Sequence, residues 1–77
     1  TPALMTPSGL ALDNDTLYVG DNATSTLFAF DLNGALLDYV PVDMAPGALM
    51  GIDLDIYGDL LVVDADSDTV YRISPTL

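Results

Sequence analysis

The chain has 77 residues and a mass of 8.1 kDa, with one cation against twelve acids, a net charge of −11 and a mean hydropathy of +0.43. Every acid is Asp, and Glu, Gln, Lys, His, Cys and Trp are absent, which removes most polar helix formers, any disulfide, and the soft ligands of a structural zinc or iron–sulfur site. Arg72 alone cannot neutralise a run of phosphates, so no nucleic acid is expected as a partner; nor is a membrane, because no apolar run nears the roughly 20 residues of a spanning helix.

From the N-terminus, Gly9-Leu10-Ala11-Leu12-Asp13 reads as a first strand over 9–13. Asn14-Asp15, two residues that tolerate positive φ, then turn the chain into a second strand over 16–21. A third runs over 26–31, and Asn33-Gly34 is a type I′ hairpin signal leading to a fourth, Ala35 to Val40, which Pro41 ends. The pattern then begins again. Gly51-Ile52-Asp53-Leu54-Asp55 repeats the first strand at an offset of 42, and Leu60-Leu61-Val62-Val63-Asp64 repeats Leu17-Tyr18-Val19-Gly20-Asp21 at an offset of 43. Thr69-Val70-Tyr71-Arg72-Ile73 repeats Thr26-Leu27-Phe28-Ala29-Phe30 at that same offset of 43. The slip of one residue falls where Ile56-Tyr57-Gly58 replaces Asn14-Asp15, with Gly58 suited to the left-handed position of a three-residue loop. The second copy is expected to hold strands over 51–55, 59–64 and 69–74.

This is an all-β reading, and a period near 43 residues is that of one propeller blade. Side-chain alternation agrees with it. The second strand of each copy has apolar residues on both faces, Leu60 and Val62 on one and Leu61 and Val63 on the other, as in a sheet sandwiched between neighbours rather than one that faces water. Two such sheets stacked alone would leave two apolar outer faces uncovered.

At the spacing Pro-x-Gly-Leu-x-Leu-Asp…Leu-Tyr-Val-x-Asp, carried by Pro7 to Asp21 and in part by Gly51 to Asp64, the chain resembles NHL-repeat propellers and their gluconolactonase and streptogramin-lyase relatives. The resemblance covers nearly all of the chain. It implies β-propeller blades built as four-stranded antiparallel meanders: one complete blade over 7–40 and three strands of a second over 49–74 that lacks its outer strand. It makes 1–77 a partial propeller, since a full ring of this kind has about six or seven blades. Two arrangements follow: a fragment of a larger propeller, which is favoured, or several copies closing one ring, with Pro2 to Met5 of one chain as the missing outer strand of the next. The pattern also departs from its relatives. Thr26 and Thr69 stand where NHL repeats often carry Arg, against a basic RNA-binding version, and Ser8 and Met50 stand where the hydrolases have a calcium-ligating Asn.

The candidate metal ligands are Asp64 and Asp53, and the ion would be calcium or magnesium, because only hard oxygen ligands are present. Asp64-Ala65-Asp66-Ser67-Asp68 has the alternating acids that open a calcium loop, but Thr69 and Pro75 occupy the positions where an EF-hand needs Gly and an acid. The favoured alternative is that Asp64 and its counterpart Asp21 accept hydrogen bonds from their own turns. Asp53 lies in an otherwise apolar strand where the first copy has Ala11. Its choices are a metal or acid–base role at the central channel or between blades and, favoured, an exposed or water-bridged polar group at a channel wall.

No His means no nucleophile triad, and no Gly-rich phosphate loop precedes a helix. Asn14-Asp15-Thr16 and Asn22-Ala23-Thr24 fit the N-glycosylation pattern in loops. Arg72 is expected in a structural ion pair with an acid beside it across the second and third strands of its copy, and Met5, Met44 and Met50 as gap fillers or a soft rim. The expected role is a binding or scaffold unit, extracellular or periplasmic, rather than an enzyme in itself. Its partners are other blades, in cis or by self-association, and a protein or small-molecule ligand met by Ser8, Asn22, Met50 and Asp66. The alternative is part of a calcium- or magnesium-dependent hydrolase or lyase whose catalytic residues lie in other blades.

Overall fold

A computed structural model describes residues 4–74. It is all-β, with seven strands in two antiparallel sheets among the described residues. The first sheet is a meander of β1 (Pro7–Asp13), β2 (Thr16–Asp21), β3 (Thr26–Asp31) and β4 (Leu36–Pro41). The second repeats three of these as β5 (Leu49–Leu54), β6 (Leu60–Asp64) and β7 (Thr69–Ile73). Each differs from its expected bounds by two residues at most. Of the segment Pro2 to Met5, Pro2 and Ala3 lie outside the described residues.

The hairpins are closed by short Asp side chains that accept backbone N–H groups, the reach that makes Asx turns. At the β3–β4 turn Asp31 Oδ1 accepts from Asn33 N and Ala35 N, both at 2.9 Å. At the β5–β6 turn Asp55 Oδ1 accepts from Tyr57 N and Asp59 N at 2.8 and 3.0 Å. The two turns share one construction, with Gly34 at φ 87 and Gly58 at φ 82. Gly58 therefore takes the left-handed position expected of it. Around Gly34 the type I′ expectation is corrected, because Asn33 does not have positive φ and the turn runs from Asp31 to Gly34, closed by Gly34 N to Asp31 O at 3.0 Å. The tighter β1–β2 turn places Asn14 at φ 52.

The two sheets stack through matched side-chain sets. Register places Gly9, Ala11, Tyr18, Gly20, Leu27 and Ala29 on one face of the first sheet. That face meets Leu49, Leu60 and Val62 of the second, with Ile52, Leu54 and Ile73 packed at the edge of the shared core. Leu49, Leu60 and Val62 are completely buried. Across the gap, the backbone of β5 comes close to β1 and β2, and no other cross-sheet pair of described strands does. The sheets are thus nearest at their first strands. Contact there is backbone to backbone: a β-carbon on Gly9 would stand 2.7 Å from Ile52 N, and glycine in a strand marks such an approach.

The opposite faces carry the remaining apolar side chains. On the first sheet these are Leu10, Leu12, Leu17, Val19, Phe28 and Phe30, of which Leu10 and Leu12 are 63% and 56% exposed. The ring of Phe28 is buried beside Phe30 and Tyr39, at centroid distances of 6.1 and 6.3 Å. On the second sheet Gly51, Asp53, Leu61, Val63, Val70 and Arg72 share the outward face, and Val70 is 62% exposed.

Candidate functional site

The four residues expected to face a ligand lie at one end of the stacked sheets, where β1 and β5 begin and the β2–β3 and β6–β7 turns cross over. Three of them are brought together around one carbonyl. Ser8 Oγ and Asn22 Nδ2 each donate to Leu49 O at 2.7 Å, and Asn22 Nδ2 also lies 3.4 Å from Met50 Sδ. Gly47 N donates to Asn22 O at 3.0 Å, so Asn22 ties the second sheet to the first through both its side chain and its backbone. The side chain of Leu49 points into the core while its carbonyl takes these two donors. Ser8 and Asn22 therefore serve first as a clasp between the sheets, while Met50 stays half exposed beside them. Asp66 sits apart in the β6–β7 turn, its backbone N donating to Asp64 Oδ1 at 3.0 Å.

The two crossing turns are built alike because their sequences align. Asp21 is fully buried; its Oδ1 accepts from Met5 N and Thr6 N at 2.9 and 2.7 Å, and its Oδ2 from Thr24 N and Thr24 Oγ1 at 3.1 and 2.6 Å. Burial opposes the charge on Asp21, but the hydrogen bonds from Thr24, Thr6 and Met5 outweigh it and hold the carboxyl below its ordinary value. Asp64, also buried, accepts from Asp66 N and Ser67 N at 3.0 and 3.1 Å. Ser25 and Asp68, at φ 50 and 53, close the two turns in the left-handed region. Thr26 Oγ1 and Thr69 Oγ1 each donate to a carbonyl two residues back, at 3.0 Å.

Both candidate metal ligands are placed by this geometry. One oxygen of Asp64 is taken by its turn. Asp53 is exposed on the outward face of β5, where its Oδ1 accepts from Leu54 N at 2.8 Å. Among the described residues no three acidic side chains converge as a cation site.

Arg72 pairs with Asp55, Nε to Oδ2 at 3.0 Å, with its guanidinium 6.0 Å from the centroid of the Tyr57 ring. The approach lacks hydrogen-bond geometry, and Asp55 Oδ2 is a buried oxygen without a donor, so the contact is one of charge. The expected ion pair is present, but its acid opens the β5–β6 turn just past β5 rather than lying beside Arg72 across β6 and β7. Two features had no motif to announce them. One is the Leu49 clasp. The other is a cleft of about 220 Å³ where Val42, Asp43 and Met44 of the connection between the sheets face Tyr71, Arg72 and Ile73 of β7. Met44 and Val42 pack against the core there, which fits the gap-filling role expected of Met44. Met5 is 71% exposed.

No protein-family model matches the chain, and a search of curated proteins finds no match.

Proposed function

We propose that the chain is a pair of β-propeller blades that works as a scaffold and binding module, its sheets seated against further blades and its β2–β3 and β6–β7 turns held out toward a protein or small-molecule ligand. The observation that carries this is the repetition of one unit in register. Equivalent residues form equivalent strands and equivalent β2–β3 and β6–β7 turns, and the second unit lays against the first the face that the first turns outward. A sheet with apolar residues on both faces is stable only between neighbours. The extracellular or periplasmic setting belongs to the same reading and rests on the Asp-rich, Lys-free composition.

The test is electron cryomicroscopy of the polypeptide that carries these residues, as isolated from its source. Sheets arrayed radially about a channel are expected. A two-layer sandwich with both outer faces in water would overturn the proposal. Part of a metal-dependent hydrolase or lyase remains the second reading, favoured only by Asp53, an exposed acid where the first copy has Ala11. It requires saturable amide shifts around Asp53 when calcium or magnesium is titrated into the chain and followed by NMR.

A further inference from the structure

The chain's own sheet-to-sheet contact defines what each outer face is made to meet. The face of the first sheet that receives the second is Gly9, Ala11, Tyr18, Gly20, Leu27 and Ala29. At the repeat offsets these correspond to Gly51, Asp53, Leu61, Val63, Val70 and Arg72, the outward face of the second sheet. In the same way the docking face of the second sheet, Ile52, Leu54, Leu60, Val62, Tyr71 and Ile73, corresponds to the outward face of the first. The contact is thus heterologous. Among the described residues each of its halves stays partly open at one end of the stack, with Leu10 and Leu12 exposed on the first sheet and Val63 and Val70 on the second, while Val19 and Phe28 are already buried within the chain.

Gly51 supplies an independent observation. Its counterpart Gly9 is glycine because the β5 backbone crosses it, Ile52 N lying 2.7 Å from where a β-carbon would be. Gly51 occupies the equivalent strand position without positive φ, and a β-carbon there would meet no atom within 4 Å beyond its chain neighbours. Gly51 adjoins the register shift of β5 between Leu49 and Gly51, as Gly9 adjoins the one of β1 between Pro7 and Gly9, but packing within the chain does not call for glycine at that point, whereas an incoming backbone would. A second contact shows matched sizes. Gly20 accommodates Leu49, whereas their equivalents at the repeat offsets, which would meet in the new contact, are Val63 and Pro7. A larger residue on one side is met by a smaller reach on the other.

We infer that a second copy of this chain docks here, the outward face of its first sheet on the outward face of this chain's second, with its β1 backbone crossing Gly51. The inference rests on the blade reading above and adds the partner and the face. Continuity with the internal contact sets the geometry, and the contact repeats head to tail, so it closes into a ring or extends as a fibre. It is weaker than the internal one. Met50 and Ala65 stand where Ser8 and Asn22 clasp Leu49, and Asp53 comes to face leucines at a desolvation cost. Two chains of net charge −11 also repel, so salt favours association.

The experiment is light scattering and sedimentation of the 77-residue chain over a range of concentration and ionic strength, beside three variants. Association that strengthens with salt is expected. Gly51→Leu and Val70→Asp each weaken it by at least about tenfold, while Asp53→Asn strengthens it. Gly51 borders open space and Val70 is exposed, so both variants are expected to keep the circular dichroism of the parent. A chain that stays monomeric throughout would overturn the inference, and so would multimers indifferent to Gly51→Leu and Val70→Asp. Blades arrayed in cis in the parent polypeptide would survive either result, so the two proposals fail separately.

Discussion

Leu49 closes over Gly20, so that a β-carbon on the glycine would stand 2.6 Å from Leu49 Cδ2. The obstacle at Gly20 is the tip of a side chain, whereas at Gly9 it is the backbone nitrogen of Ile52. A side chain yields more cheaply than a strand. Gly20→Ala should therefore cost about 1–3 kcal/mol, Gly9→Ala more than that, and Gly51→Ala nothing measurable within a single chain. Denaturant midpoints at low protein concentration give the order directly; equal midpoints for the Gly9 and Gly51 variants would contradict the close approach of β5 to β1.

Asp21 should dominate acid stability. Its folded carboxyl titrates below the ordinary 3.8 because hydrogen bonds from Thr24, Thr6 and Met5 overcome the cost of burial. The unfolded state therefore takes up the proton first as pH falls, and the stabilisation present above 3.8 is lost as pH drops through the folded value. Asp21→Asn sets an amide N–H₂ against backbone donors and should cost about 2 kcal/mol at neutral pH. The slope of stability against pH below 4 should flatten in that variant by comparison with the parent.

Tyr18 should act at the other end of the scale. Its phenol ionises above the ordinary 10.0, first because it is buried between the sheets and then because the Asp13 carboxylate opposes a second negative charge. The folded state holds this proton longer than the unfolded one, so its contribution is complete below pH 10 and disappears as pH rises through the folded value. Replacement by Phe should remove that alkaline loss. Urea midpoints measured on either side of pH 10 would decide it.

The Leu49 carbonyl should behave as a shared acceptor. With Ser8→Ala or Asn22→Ala alone, one donor remains, and each change should cost about 0.5–1.5 kcal/mol. With both removed, the carbonyl has neither side-chain donor and the loss should exceed the sum of the single changes by about 1 kcal/mol. A double-mutant cycle reads the coupling; strict additivity would mean that the two donors do not compete for one oxygen.

The strands were legible because the chain states them twice. Where Leu17-Tyr18-Val19-Gly20-Asp21 alone leaves room for error, its echo 43 residues on, Leu60-Leu61-Val62-Val63-Asp64, narrows the bounds. The role of Asp21 and Asp64 in their own turns was legible for the same reason. The β3–β4 turn was read too short, since Asn33-Gly34 is a strong local signal but the Asp31 carboxylate recruits Leu32 into the turn by accepting from Asn33 N and Ala35 N. The loop end shared by Ser8, Asn22 and Met50 follows from topology, but their convergence on Leu49 O does not. A backbone carbonyl has no residue signature, so no pattern of letters points to it. The cleft between Val42 to Met44 and Tyr71 to Ile73 is hidden likewise, because a connection with no period gives no clue to the strand it will lie against.

Asp21, Asp31, Asp55 and Asp64 close their turns by accepting backbone N–H groups two to four residues ahead or, for Asp21, behind as well. That task sets a limit on side-chain length: a carboxylate one bond beyond Cβ returns to its own loop, and one with a further methylene overshoots it. Glu would keep the charge and lose the turn. A chain whose acids are all Asp is therefore selecting reach as well as charge, and exchanging acid for acid at these four positions is, in this molecule, a change of backbone.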